Sequence, residues 1–204
     1  MGPSERAGKN DWFAELDAEL EEKTQKIVKD VEKLNTQRGE INRTLIEDFA
    51  KINDRFQKID VHLIMEPAKN VFSQPTSMPE RYAMREDFDY AGVKNIQLVD
   101  RTQEQGRMGD SLKVWYYNDG LTMRLRIVFE HSEGERYYKH AGWKRMFGQF
   151  VIYDSSLDEV DMDDLHSALG EVVKAWYESH LRRNRELLIA ALTEKFEKGE
   201  SFTE

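Results

Sequence analysis

The sequence predicts an α+β fold: an antiparallel meander sheet of about four strands, flanked by a long N-terminal coiled-coil-like helix and a long C-terminal helix. Three observations predict it. Apolar residues recur at helical spacing from Phe13 to Leu63. An Asp119-Gly120 pair separates two alternating runs. Apolar residues return to helical spacing from Leu165 to Phe196. The implied organisation is a helical arm over 1–66, a proline-containing linker over 67–80, and an α+β body with its C-terminal helix over 81–204.

In the arm, Phe13, Leu20, Ile27, Leu34 and Ile41 are spaced by seven, which makes a heptad seam. From there the pattern becomes Leu45, Phe49, Ile52, Phe56, Ile59 and Leu63. The four-plus-four step from Ile41 to Leu45 to Phe49 is a stutter that locally unwinds a supercoil. Asn10 is the expected N-cap. Pro67 is expected to stop the helix near Glu66, because a residue before proline avoids the α region. A helix of that span is on the order of 80 Å long. Asp17, Thr24 and Arg38 weaken the first half of the seam. The aromatic second half, Ile41, Leu45, Phe49, Ile52, Phe56 and Ile59, is the candidate helical core or oligomer contact. The first half is then expected to reach outward. Gly39 costs roughly 1 kcal/mol inside a helix, so a hairpin of two helices turning there is the alternative to one continuous helix. The unbroken step from Leu34 to Ile41 favours the continuous form.

Pro67, Pro75 and Pro79 mark a loop, and Glu80 to Glu86 reads as a short helix. Asp-Gly between Ser111–Asn118 and Leu121–Glu130 is a hairpin signal, since both residues tolerate positive φ. The register that follows pairs Tyr116 with Met123, Val114 with Leu125 and Leu112 with Ile127 on an apolar face. The other face pairs Tyr117 with Thr122, Trp115 with Arg124 and Lys113 with Arg126. Val93–Arg101 and Trp143–Tyr153 are the further strands, and short connections make a meander the simplest topology. In the C-terminal segment, Ser156 with Glu159, or Asp161 with Asp164, offers a helix start. Gly199 offers the stop.

The chain carries 39 acidic and 30 basic residues, a net charge of −9, and no cysteine. Disulfides, thiolate metal sites and cysteine nucleophiles are excluded. The mean field repels phosphate, so nucleic acid is the less favoured partner. The first residues show no signal-peptide core or myristoylation pattern, and no apolar run is long enough to span a bilayer. The expectation is a cytoplasmic protein with no membrane partner.

Lys113, Trp115, Tyr117, Arg124 and Arg126 form a basic, aromatic candidate surface for nucleic acid, because rings stack on bases while cations hold phosphate. Arg136, Lys139, Lys144 and Arg145 surround Trp143 in a stretch without acids. The plainer reading of the hairpin face is a solvated sheet in which cations stack on rings. His131 and His140 near Glu130, Glu133 and Glu135, in what reads as a loop, and the run Asp161, Asp163, Asp164 and His166, match no metal-ligand spacing. The acidic run is better explained as a helix start. No nucleophile elbow, phosphate loop, dinucleotide fingerprint or zinc-protease motif is present. The expected catalytic, cofactor and metal residues are therefore none. The expected function is a non-enzymatic protein–protein interaction or assembly factor, with another protein or a second copy as partner. The alternatives are a nucleic-acid-associated factor, or an enzyme whose site is invisible in sequence.

Overall fold

The computed structural model describes residues 12–66, 90–93, 95–102, 109–120, 122–199 and 201–203. The first helix, α1, runs Trp12–Gln57 without a break through Gly39, which excludes the hairpin alternative. Asn10, the 67–80 linker and the short helix expected at 80–86 lie outside the described residues.

α1 ends earlier than Pro67 implies. Asp60 takes φ 60°, its N–H donates to the Gln57 carbonyl at 3.1 Å, and the Val61 N–H donates to the Phe56 carbonyl at 3.1 Å. These two bonds form a Schellman motif, which satisfies helix carbonyls that would otherwise be left open. Buried Val61 and Phe56 supply its apolar contact. Leu63–Glu66 is therefore not helix but strand β1.

The sheet is wholly antiparallel. β2 (Asn95–Asp100), β3 (Ser111–Asp119), β4 (Thr122–Tyr138) and β5 (Gly142–Ser156) are hydrogen-bonded to one another in chain order within a larger sheet than the four strands expected. Among the described residues the sheet has seven strands rather than four: β1 adds to β2, while the two-residue strands β6 (Glu197–Lys198) and β7 (Phe202–Thr203) both add to β5. The 130–135 segment expected as a loop belongs to β4.

The β3–β4 register is displaced by two residues from the expected one. Asp119 pairs with Thr122, Tyr117 with Arg124, and Val114 with Ile127. Asp119 is a paired strand residue rather than a loop position, and Gly120, at φ 61°, follows it. A two-residue slip preserves alternation, so the expected apolar and polar faces survive with different partners.

The C-terminal helix is two helices, α2 (Met162–Arg182) and α3 (Arg185–Lys195). Asp161 caps α2 by accepting from the Asp163 and Asp164 N–H groups. The break repeats the device that ends α1. Arg183 adopts φ 50°, its N–H bonds to the His180 carbonyl, and the Asn184 N–H bonds to the Ser179 carbonyl. Asn184 then caps α3 by accepting from the Glu186 N–H at 3.0 Å.

One core joins the second half of α1, the inner sheet face and the C-terminal helices. Trp176 sits at its centre, 5.1 Å from the Phe56 ring and 5.2 Å from Phe129. Buried Asn42 donates to the carbonyls of Tyr90 and Val93 at 2.7 and 2.9 Å and accepts from the Tyr116 hydroxyl at 2.8 Å. It ties α1 to the sheet with each polar atom partnered.

Candidate functional site

The apolar stripe of α1 meets two environments. Ile41, Leu45, Phe49 and Phe56 are buried, and Ile52 and Ile59 pack against them at the core's margin. These six candidates build the protein's own core, so they offer little to a partner. N-terminal to them, Phe13, Leu16, Leu20, Ile27, Val28 and Val31 are 39–62% exposed. The same helical face is thus core in one half and bare in the other. Beside the exposed half stand Glu15, Glu19, Glu21 and Glu22, followed by Lys23, Lys26 and Lys29, and Lys23 Nζ lies 2.6 Å from Glu19.

Beside the buried half lies an open groove of about 910 Å³ between α1 and α2. Ile52, Leu169, Val173, Tyr177 and Leu181 line it, and Leu181 is 57% exposed. Nothing lies within 4 Å of where a Cβ on Gly170 would stand, so the helix surface there is open. Lys51, Arg55, Lys58 and Lys174 stand around the groove with Asp48 and Glu178. His166 and Asp48 bridge it at 2.8 Å.

The hairpin's outer face is assembled differently from its sequence expectation. Lys113 is not a surface cation: it is buried against Glu130, with Nζ 2.6 Å from both carboxylate oxygens. Tyr117, Arg124 and Arg126 do converge, but on a carboxylate. Arg124 Nε donates to Asp154 Oδ1 at 2.9 Å and Arg126 Nε to Oδ2 at 2.6 Å. The Tyr117 hydroxyl donates to the same group at 2.9–3.0 Å. The Arg126 guanidinium also stacks over the Tyr117 ring at 4.8 Å, and Trp115 is half-buried beside it. Partial burial raises the Asp154 pKa, yet hydrogen bonds from Arg126, Arg124 and Tyr117 outweigh it and hold the carboxyl below its ordinary range. A β-bulge between Ile127 and Val128 places Asp154 opposite Arg126, a pairing that no linear pattern announces.

A polar cluster lies where α2 breaks into α3. His180 Nε2 is 3.1 Å from Asp100 Oδ2, and Arg185 Nη2 is 2.6 Å from Asp110 Oδ1. Burial raises Asp100, but bonds from His180 and Thr102 hold it below the usual carboxylate value. Burial raises Asp110 despite Arg185. His131, stacked on Phe150 at 5.4 Å, is lowered by burial and by Arg185. A Cβ on Gly148 would collide with the His131 ring and the Glu133 carboxylate, so glycine makes room for both. His131, Glu133 and Arg185 line a shallow recess of about 550 Å³ against α3. The sequence offers no sign of this cluster, because its members are scattered from Asp100 to Arg185.

At the far end of the β4–β5 hairpin Tyr137 and Trp143 pair edge to face at 5.6 Å and are 60% and 69% exposed. Among the described residues no group of three or more His, Asp or Glu could hold a metal ion. No helix is long and apolar enough to cross a membrane among them either. The chain matches no protein-family model, and no curated protein and no solved structure is detectably similar to it.

Proposed function

We propose that this chain is a protein–protein interaction or assembly factor, whose N-terminal arm is the recognition element and whose α+β body is the anchor. One observation carries the reading: the stripe of α1 that is buried from Ile41 to Phe56 continues exposed from Leu16 to Val31. An isolated amphipathic helix gains little stability in water from its own backbone, and its apolar face is normally buried by packing. A contiguous exposed apolar strip on a rigid rod is the ordinary signature of a binding surface. The first turns of the arm, Glu15 to Glu22, are acidic and favour a partner with basic residues there. The nucleic-acid reading has less support, since Asp154 occupies both hairpin arginines and Glu130 occupies Lys113.

The test compares the wild-type chain with the triple variant Leu20→Glu, Ile27→Glu, Val31→Glu. These positions are exposed, so the melting temperature should stay within a few degrees. Affinity capture should lose its specific partner with the triple variant while retaining it with Lys144→Glu at the hairpin tip. Equal recovery by wild type and triple variant would contradict the proposal.

A further inference from the structure

We infer that the tip of the β4–β5 ribbon is a docking edge for an extended segment of a partner protein, one that alternates acidic and apolar residues and adds as a strand beside residues 142–145. The inference is independent of the arm and concerns a second surface, on the body.

The ribbon outruns the rest of the sheet. β3 pairs with β4 only as far as Glu130. On the other side of β5, β6 pairs at Val151 and Phe150, and β7 at Phe147 and Met146. From Arg145 to Gly142, β4 is the sole strand paired with β5 among the described residues. The second edge of β5 is therefore open there, and an open edge is a template on which an extended chain adds as a strand. The chain already uses this edge twice, because β6 and β7 are two-residue strands laid along it. An incoming segment continues their row.

The two faces of the ribbon say what that segment carries. Residues paired across an antiparallel ladder share a face. Tyr137 opposite Trp143 puts two exposed rings on one face, and Arg136 opposite Lys144 puts two cations on the other. Arg136 lies over the Tyr138 ring at 5.9 Å on that second face, and exposed Lys139 follows in the turn. Four basic residues and no acidic one stand from Arg136 to Arg145, in a chain of net charge −9. The nearest acid, Glu135, is paired in register with Arg145 on the ring face. The next, Glu133, has Lys198 at 3.7 Å. Side chains of an added strand alternate with the same two-residue period as the ribbon. A segment that sets apolar residues beside the rings thus sets its alternate residues beside the cations, where acidic side chains are the complement. A second copy of this edge brings cation to cation, which deters self-pairing. A single strand of nucleic acid fits less well. Bases stacked on Trp143 hold their phosphates on the face that carries Glu135, while Arg136 and Lys144 stand on the other.

The probe is a short labelled peptide in which glutamate and valine alternate, titrated into the intact chain by fluorescence anisotropy. It should bind, and a peptide with the same residues gathered into one acidic and one apolar block should bind roughly tenfold or more weakly. The pair Arg136→Glu, Lys144→Glu should weaken the alternating peptide by a similar factor. None of these side chains belongs to the core, so the melting temperature should stay within a few degrees. The arm variant Leu20→Glu, Ile27→Glu, Val31→Glu should bind the peptide as the wild type does, which separates this edge from the arm. Hydrogen exchange with the peptide bound should slow at residues 142–145. Equal binding of the two peptides would mean that charge alone is read, and would overturn strand addition. Failure of the alternating peptide to bind would overturn the inference as well. So would tip-dependent binding of a thymidine oligonucleotide, or of phosphatidylserine vesicles, in place of the peptide.

Discussion

Arg183 holds a left-handed backbone at φ 50° so that α2 can end and α3 begin. An L side chain is disfavoured there, and glycine is the usual occupant. Arg183→Gly should therefore raise stability by up to about 1 kcal/mol, measured by urea denaturation; a loss would mean the arginine side chain contributes more than its backbone costs. Asp60 plays the same part at the end of α1. These two residues explain why the helix ends were not legible: a stop written with aspartate or arginine in place of glycine carries no compositional mark. His131 makes a different prediction. Its pKa is lowered from 6.5 by burial and by Arg185, so the folded state holds the ring neutral while the unfolded chain protonates it. Below pH 6.5 the unfolded state binds more protons, and stability falls with acidification until the folded pKa is reached, by at most about 1.4 kcal/mol per pH unit for one proton. The melting temperature of His131→Phe should fall less than that of the wild type between pH 7 and 5. Parallel pH profiles would contradict the assignment.

Among the elements, α1 gives the sharpest contrast. Phe49 is fully buried and Ile27 is 62% exposed, on the same stripe of the same helix. Phe49→Ala should cost about 3–5 kcal/mol, as truncation of a core aromatic does. Ile27→Ala should change the dilute chain by about 0.5 kcal/mol or less. Chemical denaturation at low protein concentration measures both, and comparable losses would mean the arm is covered by its own chain. The contrast was legible in outline, because polar residues at Asp17, Thr24 and Arg38 thin the seam while Phe49 and Phe56 thicken it. The β3–β4 hairpin was legible for a similar reason: long alternating runs flank Asp119-Gly120. Its register was not, since either Asp119 or Gly120 can open a two-residue loop. β1, β6 and β7 escaped because four or two residues are too few for a period to show.

On the scale of the whole molecule, the helices cover one face of the sheet and the core runs from the centre of α1 to α3. Long-range pairing decides the rest. Asp100 with His180 and Asp110 with Arg185 lock the α2–α3 break onto the ends of β2 and β3. Asp154 turns a basic patch into an internal network. None of these pairs has a local signature, so the polar architecture stayed hidden while the apolar architecture could be read. Among the described residues, the second half of α1 is built into the core while the apolar side chains from Leu16 to Val31 are exposed. Hydrogen–deuterium exchange along α1 tests this most directly. Amides from Ile41 to Phe56 should be strongly protected at every protein concentration, and amides from Phe13 to Val31 should gain protection only as the concentration rises or a partner is added. Protection from Phe13 to Val31 that equals the core's in the dilute chain, or that never responds to concentration or partner, would contradict the account.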